Sequence, residues 1–168
     1  MPPMPPFQKG RVTEAVAFER TYLGYLGPLY IKTSGEYRKV WVCLFTCLVT
    51  RAVHLETVQD MSTEEFLLAL RRFIAQRGSP MEINSDNAKQ FKLASIKSDD
   101  VQTYISNHGI KWNFIVERAP WYGGYWERIV GLVKRSLRKS LGRRSLTDIQ
   151  LLTVIKEIES VINSRPFL

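Results

Sequence analysis

The sequence is poor in several things that would have narrowed its class quickly. No apolar run approaches the roughly 20 residues needed to cross a bilayer, so no transmembrane segment is expected. The first six residues, Met1-Pro2-Pro3-Met4-Pro5-Pro6, lack a charged region followed by an apolar one, so no secretory signal is expected and an intracellular location is. Cysteine and histidine occur twice each. Two cysteines make no disulfide framework. Cys43 and Cys47 would need two more ligands at workable spacing to hold zinc, which His54 and His108 do not supply, so all four read as structural. Acid is the scarcer charge, with 16 Asp and Glu against 24 Lys and Arg and a net charge of +8. That balance favours a polyanionic partner, nucleic acid ahead of an anionic membrane. No internal repeat is visible.

At 168 residues and 45% apolar composition the chain is long enough and apolar enough for one domain with a real core. Residues 1–12 are Pro-rich and then basic, and read as an extended linker ahead of a domain over 13–168. Thr21 to Lys32 is a strand candidate interrupted by Gly27-Pro28. Arg38 to Val49 is nearly continuous in β-formers, the pattern of a strand buried on both faces. Ala52 to Val58 alternates as a third strand, and the breaks at Gly35 and Thr50-Arg51 suggest hairpins. Ser62 and Glu65 form a capping box for a helix with the stripe Phe66, Leu67, Leu70, Phe73 and Ile74, ended by Gly78 and Pro80. A short strand then leads to Asp86, a polar helix covers roughly Asp99 to Asn107, and Lys111 to Ile115 is a further short strand. A helix from about Trp126 to Leu141 has the seam Trp126, Val130, Val133, Leu137 and Leu141. The last helix starts at Thr147, with Gln150 completing a capping box, Leu146 and Leu151 placed as a hydrophobic staple, and the stripe Leu152, Ile155, Ile158 and Ile162. The order β-β-β-α-β-α-β-α-α implies an α/β fold, a mixed sheet with helices on its faces.

Two carboxylates stand at element ends. Asp86 closes Met81-Glu82-Ile83-Asn84-Ser85-Asp86, and Glu127 opens a helix after the Pro- and Gly-punctuated stretch Ala119 to Trp126. Acids in such settings, beside a glycine loop and a basic helix, suit a divalent metal and a nucleic-acid phosphate. Taken alone, Asp86 also reads as a helix N-cap and Glu127 as a first-turn carboxylate favoured by the helix dipole. Between Arg118 and Arg144 eight Lys and Arg face one acid, Glu127. Lys134, Arg135, Arg138, Lys139, Arg143 and Arg144 therefore read as a DNA-backbone surface as well as a solvated helix face.

An ordered series of segments carries a resemblance. It runs through Phe18-Glu19-Arg20-Thr21, Gly27-Pro28-Leu29, Arg51-Ala52-Val53-His54-Leu55-Glu56, Arg72-Phe73 and Ser85-Asp86-Asn87-Ala88-Lys89. It continues with Ala119-Pro120-Trp121-Tyr122-Gly123-Gly124-Tyr125-Trp126-Glu127-Arg128, Lys134 to Lys139, and Asn163-Ser164-Arg165-Pro166. In this order the chain resembles the ribonuclease-H-like core of retroelement integrases, most of all those of BEL/Pao long-terminal-repeat retrotransposons. The resemblance implies a five-stranded mixed sheet flanked by helices and action on double-stranded DNA, both element ends and target, by 3′-end processing and strand transfer. It also implies a nuclear site of action, self-association on DNA, and two Mg²⁺ (or Mn²⁺) ions held by three acids. The second acid matches Asp86 and the third Glu127. Asn87 would orient a water or phosphate, Tyr122 would stack on exposed nucleotides, and Gly123 and Gly124 would let the loop before Glu127 move.

The first acid should lie a few residues before Gly27-Pro28-Leu29, and there the chain has Gly24. Glycine supplies no ligand. A two-metal transfer holds its ions about 3.5–4 Å apart, and the missing carboxylate is the one that bridges them in this family. Catalysis is therefore expected to be impaired, with one ion or none. Glu19 lies five residues away, roughly 16 Å along an extended strand, Glu36 is in a turn and Glu56 is on another strand. Two other readings stand beside this one: a non-catalytic nucleic-acid-binding or assembly module derived from an integrase, and a nuclease of the same fold cutting RNA–DNA hybrids.

Overall fold

The computed structural model describes residues 17–86, 99–115, 120–141 and 145–164, without the side chains of 86, 114–115 and 120–126. The linker expected over 1–12 lies outside the described residues. The elements are β1 (Arg20–Thr33), β2 (Glu36–Cys47), β3 (Val53–Val58), α1 (Thr63–Arg77), β4 (Glu82–Asp86), α2 (Asp99–Asn107), β5 (Lys111–Ile115), α3 (Pro120–Leu141) and α4 (Asp148–Asn163). The sheet order is β3-β2-β1-β4-β5, antiparallel from β3 to β1 and parallel from β1 to β5. This is the expected five-stranded mixed sheet with helices on its faces.

β1 is central and longer than the sequence suggested. Gly27-Pro28 does not interrupt it: the register steps from Leu26↔Val42 to Leu29↔Val40, a bulge that absorbs the proline's missing N–H. Gly27 takes φ +132, and a Cβ there would meet Trp41 Cδ1 at 3.0 Å and Val40 O at 3.3 Å. The bulge also turns β1 over. Before it Tyr22, Gly24 and Leu26 share a face; after it Leu29 and Ile31 do. β2 stops at Cys47, two residues earlier than expected, because Arg51 at φ +65 and the Cys47 N–H bond to Ala52 O at 2.8 Å close the turn to β3.

Two cores flank the sheet. On one face Tyr22, Leu26, Ile31, Val40, Val42, Leu44, Val53 and Leu55 pack against α3 and α4. On the other, Leu23, Cys43, Phe45, Cys47 and Ile83 pack against Phe66, Leu70 and Phe73 of α1 and Val101 and Ile105 of α2. α1 begins at Ser62, whose hydroxyl accepts the Glu65 N–H, and ends at Gly78 with φ +89. Both cysteines are buried and free, as expected. Cys47 Sγ accepts the N–H groups of Phe18 and Thr50, each at 3.2 Å. Burial pushes the Cys43 thiol well up.

Three expectations are corrected. α3 starts at Pro120 rather than near Trp126, so Gly123 and Gly124 are helical. Proline suits the first helical position, and two interior glycines cost only about 1 kcal/mol each. The seam of α3 is Ile129, Val133 and Leu137, with Val130 and Leu141 only partly buried. In α4 the buried set is Leu151, Ile155, Ile158, Glu159 and Ile162, whereas Leu152 is 37% exposed. The N-terminus of α4 explains that shift. Thr147 and Gln150 form the expected reciprocal capping box. Leu146 bridges Ile31 and gives its carbonyl to the Lys32 N–H at 2.9 Å, which fixes the helix rotation and turns Leu151 inward.

α4 also seals the outer edge of β3. Val53 N–H donates to Asn163 Oδ1 (2.7 Å) and Val53 O accepts from Asn163 Nδ2 (2.8 Å). Leu55 N–H donates to Glu159 Oε1 (2.7 Å) and Leu55 O accepts from Lys156 Nζ (2.8 Å). From α1, Arg72 donates to Thr57 O at 3.1 Å. Behind this edge lies a buried ionic network. His54 Nδ1 accepts from Arg77 Nε at 3.0 Å, so the proton sits on Nε2, which donates to Glu56 Oε2 at 2.5 Å. Burial holds His54 below its ordinary 6.5 despite that carboxylate, so His54 is neutral here: its contact with Glu56 is a hydrogen bond rather than an ion pair, and Nδ1 only approaches Glu159 Oε1, at 3.6 Å. Burial alone would raise Glu56, but hydrogen bonds from His54 and Arg72 and the charge of Lys156 outweigh it and hold it at about 2.

Leu151→Ala is expected to lower unfolding free energy by about 2–5 kcal/mol and Leu152→Ala by less than about 1 kcal/mol in denaturant titration; equal effects would contradict the stated rotation of α4. Stability should fall on the acid side in two stages. Neutral His54 contributes fully above pH 6.5 and less as pH drops below it, because the unfolded histidine protonates first. Ionised Glu56 contributes fully above pH 4.5 and loses about 3 kcal/mol as pH falls toward 2. Denaturant midpoints measured across this range should show the second stage flattened in Glu56→Gln; an unchanged acid limb would overturn the assignment.

Candidate active site

Gly24 is buried in the middle of β1 and pairs with Leu44 of β2. On its other side the last β1–β4 pair is Leu23↔Ser85, so one step further Gly24 stands beside Asp86, the last residue of β4. Alternation puts Gly24, with Tyr22, on the sheet face that carries α3 and α4. Asp86 ends β4 two residues after Asn84. Its side chain lies outside the described residues, as do Asn87, Arg143, Arg144 and the side chain of Tyr122.

Glu127 is the eighth residue of α3, not its opening one, so the first-turn dipole reading does not apply. It is exposed, two positions before Ile129, through which α3 joins the core around Tyr22 and Leu44. Lys134, Arg135, Arg138 and Lys139 are all exposed along the same helix. Glu127, Lys134 and Arg138 fall at i, i+7 and i+11, one line along α3. The fold thus brings Gly24 and Asp86 together and puts the helix of Glu127 and the cations on their side of the sheet.

Beneath Gly24 and Asp86 lies a polar layer that the sequence reading did not single out. Asn84 pairs with Tyr22 on one side and Asn113 on the other. Asn113 Nδ2 donates to Asn84 Oδ1 at 3.1 Å and to Glu82 Oε1 at 2.5 Å, and Arg20 Nε donates to Glu82 Oε2 at 2.9 Å. The Arg20 hydrogen bond is the main reason Glu82 titrates below its ordinary value. Asn84 is only 5% exposed, and its Nδ2 has no partner among the described residues. The signal was the alternation Glu82, Asn84, Asp86, a strand polar on the face toward the site.

The other acids are committed elsewhere. Glu56 is bound into the β3 network, Glu36 stands at the start of β2, and Glu19 precedes β1, its carbonyl accepting the N–H groups of Met81 and Glu82 at 3.0 Å each. Among the described residues no group of three or more His, Cys, Asp or Glu side chains could hold a metal. His108 Nδ1 lies 2.9 Å from Tyr104 O, a local contact in the turn after α2. Mg²⁺ needs near-octahedral oxygen ligation, and a pair of ions needs a carboxylate between them. Glycine at 24 gives none, so the donor set does not fit two ions.

An integrase core domain model matches residues 28–120, which include Asp86 but neither Gly24 nor Glu127. Among solved structures the chain is similar to the magnesium-bound catalytic core domain of HTLV-2 integrase. The trimeric form is 19% identical with a TM-score of 0.65, covering 91% of this chain and 90% of that one. The dimeric form is 19% identical with a TM-score of 0.66, covering 91% of each. A chain of the simian T-cell lymphotropic virus intasome in complex with the PP2A regulatory subunit B56 gamma is 17% identical with a TM-score of 0.64, covering 91% of this chain and 56% of that one. No curated protein matches. No described helix is long and apolar enough to cross a membrane. With the family model spanning more than half its length and the ribonuclease-H-like sheet in place, the chain belongs to the integrase core domain family, within the DDE integrase superfamily.

Proposed function

We propose that this chain is the core domain of a retrotransposon integrase of the BEL/Pao class, acting on double-stranded DNA in the nucleus, with its catalytic step impaired at Gly24. One observation carries the reading: the residue beside Asp86 on the neighbouring central strand, where the family's bridging carboxylate belongs, is a glycine. Asp86 and Glu127 remain the acids of the site and would hold one Mg²⁺ or Mn²⁺ weakly or none. The family's reaction attacks a phosphodiester with a 3′-hydroxyl and rests on in-line positioning and charge neutralisation more than on a protein nucleophile. In this chain the residues that remain bind and orient DNA. Lys134, Arg135, Arg138 and Lys139, with Arg143 and Arg144, meet the backbone, and Asn87 and Tyr122 approach the nucleotides nearest the acids. Self-association on DNA belongs to this reading, in keeping with the dimeric and trimeric forms of the HTLV-2 core.

A strand-transfer assay on end-mimicking duplexes with Mg²⁺ or Mn²⁺ should give background product for the native chain and at least tenfold more for Gly24→Asp. Native product equal to that of Gly24→Asp would sink the claim of impairment.

The exposed cations of α3, Lys134, Arg135, Arg138 and Lys139 among them, also favour a second reading, a non-catalytic DNA-binding or assembly module. It predicts duplex binding that needs no metal and weakens steeply with salt. Lys134→Glu with Arg138→Glu should lower duplex affinity about tenfold or more at low salt and reduce the magnitude of the log–log salt slope by about 2. Unchanged affinity would remove DNA from this surface.

A further inference from the structure

Beyond the bulge at Gly27-Pro28, β1 and β2 run on as a two-stranded ribbon past the last β1–β4 pair. Its two faces differ sharply. The back face is fastened to the domain. Ile31 is 1% exposed and bridges Leu146, the Lys32 N–H donates to Leu146 O, and Arg38 donates to Asp148 Oδ2 at 2.7 Å and to Gln59 Oε1. The front face carries the cross-strand pairs Tyr30↔Lys39 and Lys32↔Tyr37. All four side chains are exposed, Tyr30 at 59% and Tyr37 at 65%. Lys32 Nζ lies 5.9 Å from the centre of the Tyr37 ring. The acid of the ribbon, Glu36, is paired with Thr33 and by alternation belongs to the back face.

We propose that this front face is a second nucleic-acid contact, and that its ligand is a single strand with unstacked bases: Tyr30 and Tyr37 each stack on one base, and Lys32 and Lys39 meet the flanking phosphates. Charge selects the class of ligand, since the ribbon offers two ammonium groups and no acid on this face to a polyanion. Spacing selects the single strand. Diagonal neighbours on an antiparallel pair stand roughly 7–8 Å apart, about twice the 3.4 Å step of stacked bases in a duplex. Two rings side by side at that spacing on one sheet surface each present a separate face, which an unpaired, splayed base can cover and a base already stacked within a duplex cannot. The fastened back face fixes the backbone that carries both rings before any ligand arrives, which lowers the ordering cost of binding. Counting along β1, Tyr30 lies six residues beyond Gly24, roughly 20 Å. The contact thus stands beyond the carboxylate site and on the opposite face of the sheet. The inference shares with the proposed function only the premise that the chain handles nucleic acid.

Fluorescence anisotropy of the whole chain with labelled oligothymidylate, an abasic strand of the same length, and a duplex, all at low salt, tests it. Tyr30→Ala and Tyr37→Ala should each weaken oligothymidylate binding about tenfold and leave duplex binding unchanged. Tyr30→Phe and Tyr37→Phe should bind like the native chain, which separates stacking from the hydroxyl, and the native chain should bind the abasic strand more weakly than oligothymidylate. Alanine variants with native single-strand affinity, equal binding to the abasic strand, or parallel loss of duplex binding would each overturn the proposal. Duplex binding indifferent to Lys134→Glu and Arg138→Glu would instead count against the α3 surface, and the single-strand comparison would still read independently.

Discussion

The outer edge of β3 is the constraint on which the remaining architecture rests. An edge strand presents a row of N–H and C=O groups that pair with whatever reaches them. Here side chains fill that row, with Asn163 covering both groups of Val53, Glu159 and Lys156 covering those of Leu55, and Arg72 covering Thr57 O. Asn163, Glu159 and Lys156 stand three and four residues apart on one line of α4, so the helix acts as a sixth strand made of side chains. The price is a set of charges at the sheet margin, met by the neutral tautomer of His54 and a carboxylate at Glu56 shared between His54, Arg72 and Lys156. Removing one member would leave others buried and unpaired, which is why such a network is destabilising to break even where its net contribution is small. Once α4 is fixed this way, its apolar stripe supplies the surface on which Ile129, Val133 and Leu137 of α3 settle. The helix bearing Glu127 and the cations is therefore held at one remove by the edge of β3.

The bulge in β1 is the complementary device. At Pro28 β1 is paired with β2 alone, and a proline facing that partner in an unbroken register would cost a ladder N–H. Placing the extra residue there lets the strand continue and exchanges its faces. Leu29 and Ile31 then remain on the α4 side although they are odd-numbered while Tyr22 and Leu26 are even. The same exchange turns Tyr30 and Lys32 outward on the side of α1, past the reach of any described helix. One irregularity both preserves the core and creates the exposed ribbon.

How much of this was legible follows from how local each cause is. Capping is a matter of three or four residues, so Ser62 and Thr147 announced their helices, and Asp99–Asn107 and Lys111–Ile115 fell where turn residues and alternation put them. The resemblance set Gly24 and Asp86 at the positions of two of the family's acids, but that their strands are neighbours is visible only in the fold. Rotations of helices were less so. Leu151 and Leu152 are equally apolar, and the choice between them is made by Leu146 meeting Ile31, a contact across more than a hundred residues of chain. Ile129 and Val130 pose the same ambiguity. The start of α3 was misread because two glycines look like a loop locally, whereas a helix already propagating from Pro120 carries them at modest cost. Asn84 and Asn113 were invisible as a pair because their adjacency exists only once β4 and β5 are aligned.

The consequence of Gly24 for the scaffold is as physical as its consequence for chemistry. In the family's arrangement two carboxylates stand on adjacent central strands, and like charges so close raise one another's pKa and oppose folding unless cations lie between them. Such a site couples metal to stability. With glycine at 24 that repulsion is gone, at the cost of a flexible residue inside a strand, about 0.5–1 kcal/mol relative to alanine. Tyr22, Asn84 and Asn113 lie in register across β1, β4 and β5 beside it. In the proposed reading, the DNA contacts of Lys134, Arg135, Arg138 and Lys139 do not depend on position 24. In that reading, glycine at 24 removes support from cutting and joining and leaves the cations of α3 in place.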